Sequence, residues 1–303
     1  MDTIVGLGKA GCNIARTFQK YPQYDVFKLD TAYSDEHNYY RLEKHENPED
    51  YEQSCPDLTY FFKYARGNTL FITSGASPVS LASLSVLSQL KDQCKLSVLY
   101  VKPNVDTLTG QTQLIERSVY YIMQEYARSG LFDSLYIIEN ERIEKLLGGL
   151  PVIGYYDQIN DTIASTIHMI NVFDNTDSVI NTHSDRHEIS RIATFGIINP
   201  QTGEENSLFD LDNVREKRYY FAVPEKKLKT DNHLLTKIRE QVGNEQGTSY
   251  GIYSTKYQVD YTYSVSRSSQ VQENANKYKK HLNISTTCAT IRGRCSRDLL
   301  SIL

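Results

Sequence analysis

The 303-residue chain has no tryptophan, and from that lack alone no function follows. Its other scarcities exclude more. The five cysteines, at positions 12, 55, 94, 288 and 295, are odd in number and scattered. They offer no disulfide framework, and no C-x-x-C pair offers zinc ligands. His183 and His187 stand four apart but have no third ligand near them in sequence, so no metal site is expected. A reducing cytoplasm is the expected compartment. No apolar run approaches the length of a membrane span, and no signal peptide is expected before the first apolar stretch. A net charge of −4 gives the whole surface no general attraction for nucleic acid.

What is present is ordinary for a globular chain: 40% hydrophobic and 23% charged residues. The charge is uneven. Acidic residues crowd the stretch from Asp25 to Asp57, and basic ones dominate from Val271 to Leu303. The basic tail is expected to be a solvated extension or a docking arm for an acidic partner.

Short apolar runs alternate with helix-like segments through the first 170 residues. Strands are expected at Thr3–Gly6, Asp25–Leu29, Thr69–Thr73, Leu96–Val101 and Ser134–Ile138. Helices are expected at Gly11–Gln19, Leu58–Tyr64, Val79–Asp92 and Thr112–Ser129. This alternation predicts an α/β fold, a parallel sheet with helices on both faces and ligands at the C-terminal ends of its strands. A long central helix is expected over about 155–175, because Ile159, Ile163, Ile167, Ile170 and Phe173 recur at helical spacing. Beyond it, Tyr219–Val223, Leu234–Val242 and two alternating runs, Ser249–Thr255 and Asp260–Ser266, suggest a smaller α+β domain with half-exposed antiparallel strands. The predicted organisation is a nucleotide-binding domain over 1–175, the α+β domain over 176–270, and the basic extension over 271–303.

The opening is the most specific local signal. A short apolar run leads directly into Gly6-Leu7-Gly8-Lys9-Ala10-Gly11-Cys12-Asn13. Glycines there allow close backbone approach, and the amides of a helix N-terminus attract phosphate. The same pattern suits a plain tight strand–helix turn. It also suits a dinucleotide fold, in which Asp30, nineteen residues after Gly11, would meet a ribose.

Further segments, taken in order, resemble the tubulin/FtsZ family of filament-forming GTPases. They are the opening glycine loop with Asn13; Glu46-Asn47-Pro48-Glu49; Phe71-Ile72-Thr73-Ser74-Gly75-Ala76-Ser77-Pro78-Val79; Val101-Lys102-Pro103; Ile138-Glu139-Asn140-Glu141-Arg142-Ile143; Tyr156 with Asn160-Asp161; and Phe195-Gly196-Ile197 through Gly203-Glu204. The likeness runs through residues 1–205 and more loosely to 270. It implies a guanine-nucleotide-binding cytoskeletal protein that self-associates head to tail into filaments, with GTP or GDP as ligand and magnesium beside a bound triphosphate. Gly8, Lys9, Ala10 and Gly11 would face the phosphates, with Asn47 and the Ser74-Gly75-Ala76 loop beside them. Asn13 would sit near the base and Asn140 at the ribose or guanine. Tyr156 would stack on the ring, and Asn160 would read the guanine edge.

Two departures from the family pattern bear on chemistry. The family's glycine-rich signature loop is shortened here to Ser74-Gly75-Ala76-Ser77-Pro78, and Lys9 is the candidate to replace its lost charge. In the catalytic loop, Asn181-Thr182-His183-Ser184-Asp185-Arg186-His187-Glu188, His183 and Arg186 stand where the family has acids. Asp185 and Glu188 are the candidate substitutes, and hydrolysis is expected to be slow or absent. A non-catalytic module that binds an active homologue or adaptor is one alternative, and an NAD-binding oxidoreductase is another.

Overall fold

The computed structural model describes residues 1–243 and 245–273, so the basic tail beyond 273 lies outside the described residues. Residues 1–271 form one compact unit. In chain order the first half runs β1 (Thr3–Leu7), α1 (Gly8–Thr17), β2 (Asp25–Asp30), β3 (Tyr39–Arg41), α2 (Asp50–Gln53), β4 (Gly67–Ser74), α3 (Ser83–Leu90), β5 (Cys94–Lys102), α4 (Gly110–Ser129), β6 (Ser134–Glu139), α5 (Asn140–Leu146) and α6 (Tyr155–Asp174). The second runs β7 (Ile180–Asn181), β8 (Ile192–Ile198), β9 (Glu205–Ser207), β10 (Glu216–Pro224), α7 (Glu225–Thr230), α8 (Leu234–Val242), β11 (Thr248–Thr255) and β12 (Tyr261–Ser268).

The strands pair in the order β3-β2-β1-β4-β5-β6-β8-β12-β10-β11-β7, with β9 beside β8. From β3 to β8 all pairs are parallel. The sheet crosses the expected boundary at 175 without a break, through Leu135↔Ile192 and Tyr136↔Ala193. β1 is buried along its whole length, which is why it reads as a continuous apolar run. One face carries α2, α3 and α4, with Tyr51, Val86, Leu90, Val119 and Met123 against Phe71, Val98 and Tyr100. The other carries α1, α5 and α6, with Ile14, Ile143, Ile159, Ile163 and Ile167 against Ile4, Leu70, Ile72 and Leu99. The expected α6 stripe is therefore core. Gly154, at φ 79°, opens α6, and Gly130, at φ 90°, closes α4 in the left-handed conformation that glycine adopts most readily.

Two expectations need correction. Residues 58–64 form a series of turns and not a helix. Phe61 and Phe62 both pack edge-on against Phe27, at 5.5 and 5.7 Å. Consecutive residues of a helix point about 100° apart and do not share a target in this way. The runs 249–255 and 260–266 are also not an antiparallel, half-exposed pair. β10 lies between them, parallel to β11 and antiparallel to β12. Both faces are covered: Tyr220 and Tyr253 stack toward Phe173 of α6, while Tyr250 and Ile252 pack with Ile238 and Val242 of α8.

Candidate nucleotide site

β1 passes into α1 with no intervening loop. Leu7 is still extended, at φ −114° and ψ 131°, and Gly8 turns the chain at φ +70°. No side chain caps α1, and its first turn holds no acid. The first-turn amides thus have no side-chain acceptor at the cap, and the helix dipole adds partial positive charge there. The glycines divide their work. A Cβ on Gly11 would lie 2.3 Å from the carbonyl oxygen of Ile72, and one on Gly6 would lie 2.4 Å from that of Gly11. These two glycines let α1 press onto β1 and β4. A Cβ on Gly8 would meet only Val79, at 4.0 Å, so the space above the turn is open. Lys9 and Ala10 are exposed at its mouth. Asn13 points its Oδ1 at Arg16, which donates from Nη1 at 2.8 Å. Arg16 also grips Glu36, and that pairing, aided by Lys28, holds the Glu36 carboxyl down at about 2.

The second wall is the end of β4. Ser74, Gly75 and Ala76 lead through an extended Ser77 into a short 3-10 turn at Pro78–Ala82. Gly75 is forced by its surroundings, because a Cβ there would lie 1.9 Å from the Tyr100 hydroxyl. Tyr100 donates to Oε1 of fully buried Glu116 at 3.3 Å, and Glu116 Oε2 has no hydrogen-bond partner among the described residues. Burial pushes the Glu116 carboxyl up, against the pull of Lys102. The shortened loop is thus seated on β5 and α4, and it is built of small residues that leave the rim free. Asn47 is exposed and donates to Asp50 at 3.2 Å, just before α2.

The third wall comes from β6 and α6. Asn140 opens α5, and its Oδ1 is buried without a hydrogen-bond partner among the described residues. Glu139 beside it pairs with Lys102 at 2.9 Å and with Arg142 at 3.3 Å; Arg142 reaches on to Asp210. Tyr156 is 65% exposed in the first turn of α6, and half-buried Asn160 stands one turn further on the same face. α6 lies alongside α1: Lys20, just past the end of α1, pairs with Asp161 at 2.7 Å, and Tyr21 stacks on His168. Asn171 of α6 donates to the Met1 carbonyl at 3.3 Å. From there Tyr155 is about 24 Å up a helix rising ~1.5 Å per residue. Gly8 is about 23 Å up a strand rising ~3.3 Å per residue. The α1 turn, the Ser74–Ala76 loop and Asn140 therefore lie at the C-terminal ends of the parallel strands β1, β4 and β6, with the first turn of α6, which carries Tyr156, at about that height and Asn160 one turn below.

Asp185 and Glu188 are not brought there. α6 alone spans about 30 Å, and both acids lie exposed beyond its far end. Around them the loop is fixed. Arg186 donates to Asp133 at 2.8 and 2.9 Å and to Ser134 at 2.9 Å. The His187 amide donates to Glu216 at 2.9 Å. His183 packs beside Tyr220 and Ser249, and burial, with Arg218 nearby, lowers it to about 4. The residues that replace the expected acids are thus structural. A cleft of about 420 Å³ at the opposite rim, between Asp25, His37, Lys63 and Arg66, contains none of the predicted residues.

No protein-family model matches the chain, and no curated protein matches it in sequence. Solved structures do match it in shape. An empty FtsZ dimer from M. jannaschii superposes with a TM-score of 0.64 over 88% of both chains, at 12% identity. A GTPγS-form protofilament of TubZ from Bacillus thuringiensis serovar israelensis matches with a TM-score of 0.66, at 14% identity, over 88% of this chain and 87% of that one. GTPγS-bound protofilament CetZ2 from Haloferax volcanii matches at 0.60, with 14% identity, over 88% and 92%. The fold is tubulin/FtsZ-like. The FtsZ-like architecture therefore extends well past the ordered motifs that end near residue 205.

Within this FtsZ-like frame, sequence reasoning missed the Tyr100–Glu116 support beneath Gly75. One signal was available: Glu116 interrupts the apolar stripe of α4 next to Ile115 and before Val119, and a buried carboxylate there requires a partner. The Arg186–Asp133 pair joins residues far apart in sequence and left no local trace.

Proposed function

We propose that the chain is a cytoskeletal subunit that binds a guanine nucleotide at this rim and assembles head to tail. The observation that carries the reading is the uncapped N-terminus of α1 at the C-terminal rim of the parallel strands, in a fold shared with GTPγS forms of TubZ and CetZ2. The α1 amides and Lys9 hold phosphate. Tyr156 covers the ring, Asn160 and Asn140 offer amide groups to the guanine edge and ribose, and Asn13 and Asn47 flank them. Magnesium joins only with a triphosphate, held mainly by phosphate and water oxygens.

Asp185 and Glu188 lie about one helix length from their own chain's rim, so they meet a nucleotide only on a neighbouring copy. A heterologous contact of that kind, if it does not close into a ring, builds a filament. Turnover is slow or absent, because His183 and Arg186 are committed to packing and pairing. A second reading, a non-catalytic module that docks on an active homologue, draws on the seating of Gly75 against Tyr100. The oxidoreductase alternative is weaker, since Asp30 Oδ1 accepts the amide of Thr31 at 2.8 Å.

Mass spectrometry of small molecules released from the purified chain, followed by sedimentation with GDP, GTP and GTPγS, tests the proposal. Bound guanine nucleotide and nucleotide-dependent pelleting are expected. An empty protein that stays in the supernatant under every nucleotide contradicts it.

A further inference from the structure

We propose that the cleft at the N-terminal ends of the strands is a second ligand site, one that takes a small aromatic phosphate monoester. Its walls stand at the starts of β2, β3 and β4, and β1 alone puts roughly 17 Å between the two ends of the sheet. Its volume of about 420 Å³ falls within the roughly 300–1,000 Å³ of small-molecule sites.

Both walls are fixed from below. On one, the hydroxyl of fully buried Thr3 accepts from the Arg66 amide at 3.2 Å and donates to the Arg66 carbonyl at 2.9 Å. Phe62, fully buried against Phe27, anchors the same turn. On the other, Asn38 sits at φ 53°, a left-handed conformation uncommon outside glycine, and its carbonyl accepts from the Lys28 amide at 2.9 Å. That turn places His37 and Asn38 in the cleft wall.

The charge of the cleft is unbalanced. Lys63 and Arg66 line it, and neither is in an ion pair among the described residues. Lys63 Nζ instead lies 4.1 Å from the Tyr60 ring centre and 4.7 Å from that of Tyr64. Asp2, the acid beside Gly67, turns its Oδ2 to the Asn68 amide at 2.8 Å. Asp25 is the one carboxylate in the lining. Two cations and a ring N–H of His37 suit a dianionic phosphate, to which arginine gives paired hydrogen bonds and lysine a point charge. Buried Phe27 and exposed Tyr64 offer apolar ring surface to the organic part. Asp25 opposes a second anionic group, so a diphosphate or triphosphate fits poorly.

Calorimetric titration of the full chain with phenyl phosphate tests this, with inorganic phosphate and benzoate as the other arms. Saturable binding at one phenyl phosphate per chain is expected, at least ~10-fold tighter than either, since phosphate lacks the ring and benzoate the second charge. Lys63→Gln combined with Arg66→Gln should weaken it by ~10-fold or more. Both side chains are exposed, so the melting temperature of that variant should hold. Tyr156→Ala and an excess of GDP should leave phenyl phosphate binding unchanged. No saturable binding at millimolar phenyl phosphate overturns the inference, as does binding that survives in the folded double variant or that GDP displaces. Equal binding of benzoate overturns the assignment to phosphate. Each of these results leaves the guanine-nucleotide reading of the other rim intact.

Discussion

The two ends of α6 have been treated differently. At its N-terminal end the rim is open: α1 has no cap, the space above Gly8 is clear, and Tyr156 projects into solvent. At its C-terminal end the loop is tied down by Arg186 on Asp133, His187 on Glu216 and His183 on Ser249. A ligand site requires unspent donors, whereas a fixed loop requires that they be spent. The comparison teaches that the end left open keeps unspent donors. At the other end, the residues that replaced the expected acids have become supports.

The sharpest way to break the open end is Gly11→Ala. The new Cβ meets backbone, which no rotamer relieves, so unfolding free energy should fall by about 3 kcal/mol in urea titration. The rim's nucleotide affinity should fall with it. At the tied end, His183 makes a pH prediction. Its folded value of about 4 lies below the ordinary 6.5, so the unfolded chain binds the proton more readily. Its contribution is intact above pH 6.5 and is lost as pH falls from there toward 4, to a total of roughly 2–3 kcal/mol. His183→Gln should flatten thermal stability across that window.

Arg186→Ala leaves half-buried Asp133 with Lys95 as its one remaining cation among the described residues, and should cost about 2 kcal/mol in melting experiments without changing nucleotide affinity. Tyr156→Ala should do the reverse. Its ring is exposed, so the melting temperature should hold while affinity drops ~10-fold through loss of stacking. If Arg186→Ala weakened nucleotide binding as much as Tyr156→Ala does, the distinction between the two ends would collapse.

Much of the fold was legible because parallel strands buried on both faces leave continuous apolar runs such as Thr3–Leu7, and because α6 carries an unbroken isoleucine stripe. The turn at 58–64 was not, since its apolar residues serve one shared partner, Phe27, that sequence spacing does not reveal. The order of β10, β11 and β12 was hidden for a similar reason. Alternation of tyrosine and serine reads as a half-exposed strand, but here tyrosines are buried on both faces, against α6 and α8. At the site, Gly11 reads as a ligand glycine, yet its close contact is with Ile72 of the fold itself. Gly8 alone carries the open turn. The replacements at His183 and Arg186 were visible in sequence, but their partners Ser249 and Asp133 were not.

Calorimetric titration of GDP into the nucleotide-free chain tests the central claim most directly. The account predicts saturable heat at one nucleotide per chain, weakened by Tyr156→Ala and preserved in Arg186→Ala. No heat at millimolar GDP, from protein that melts cooperatively, would contradict it.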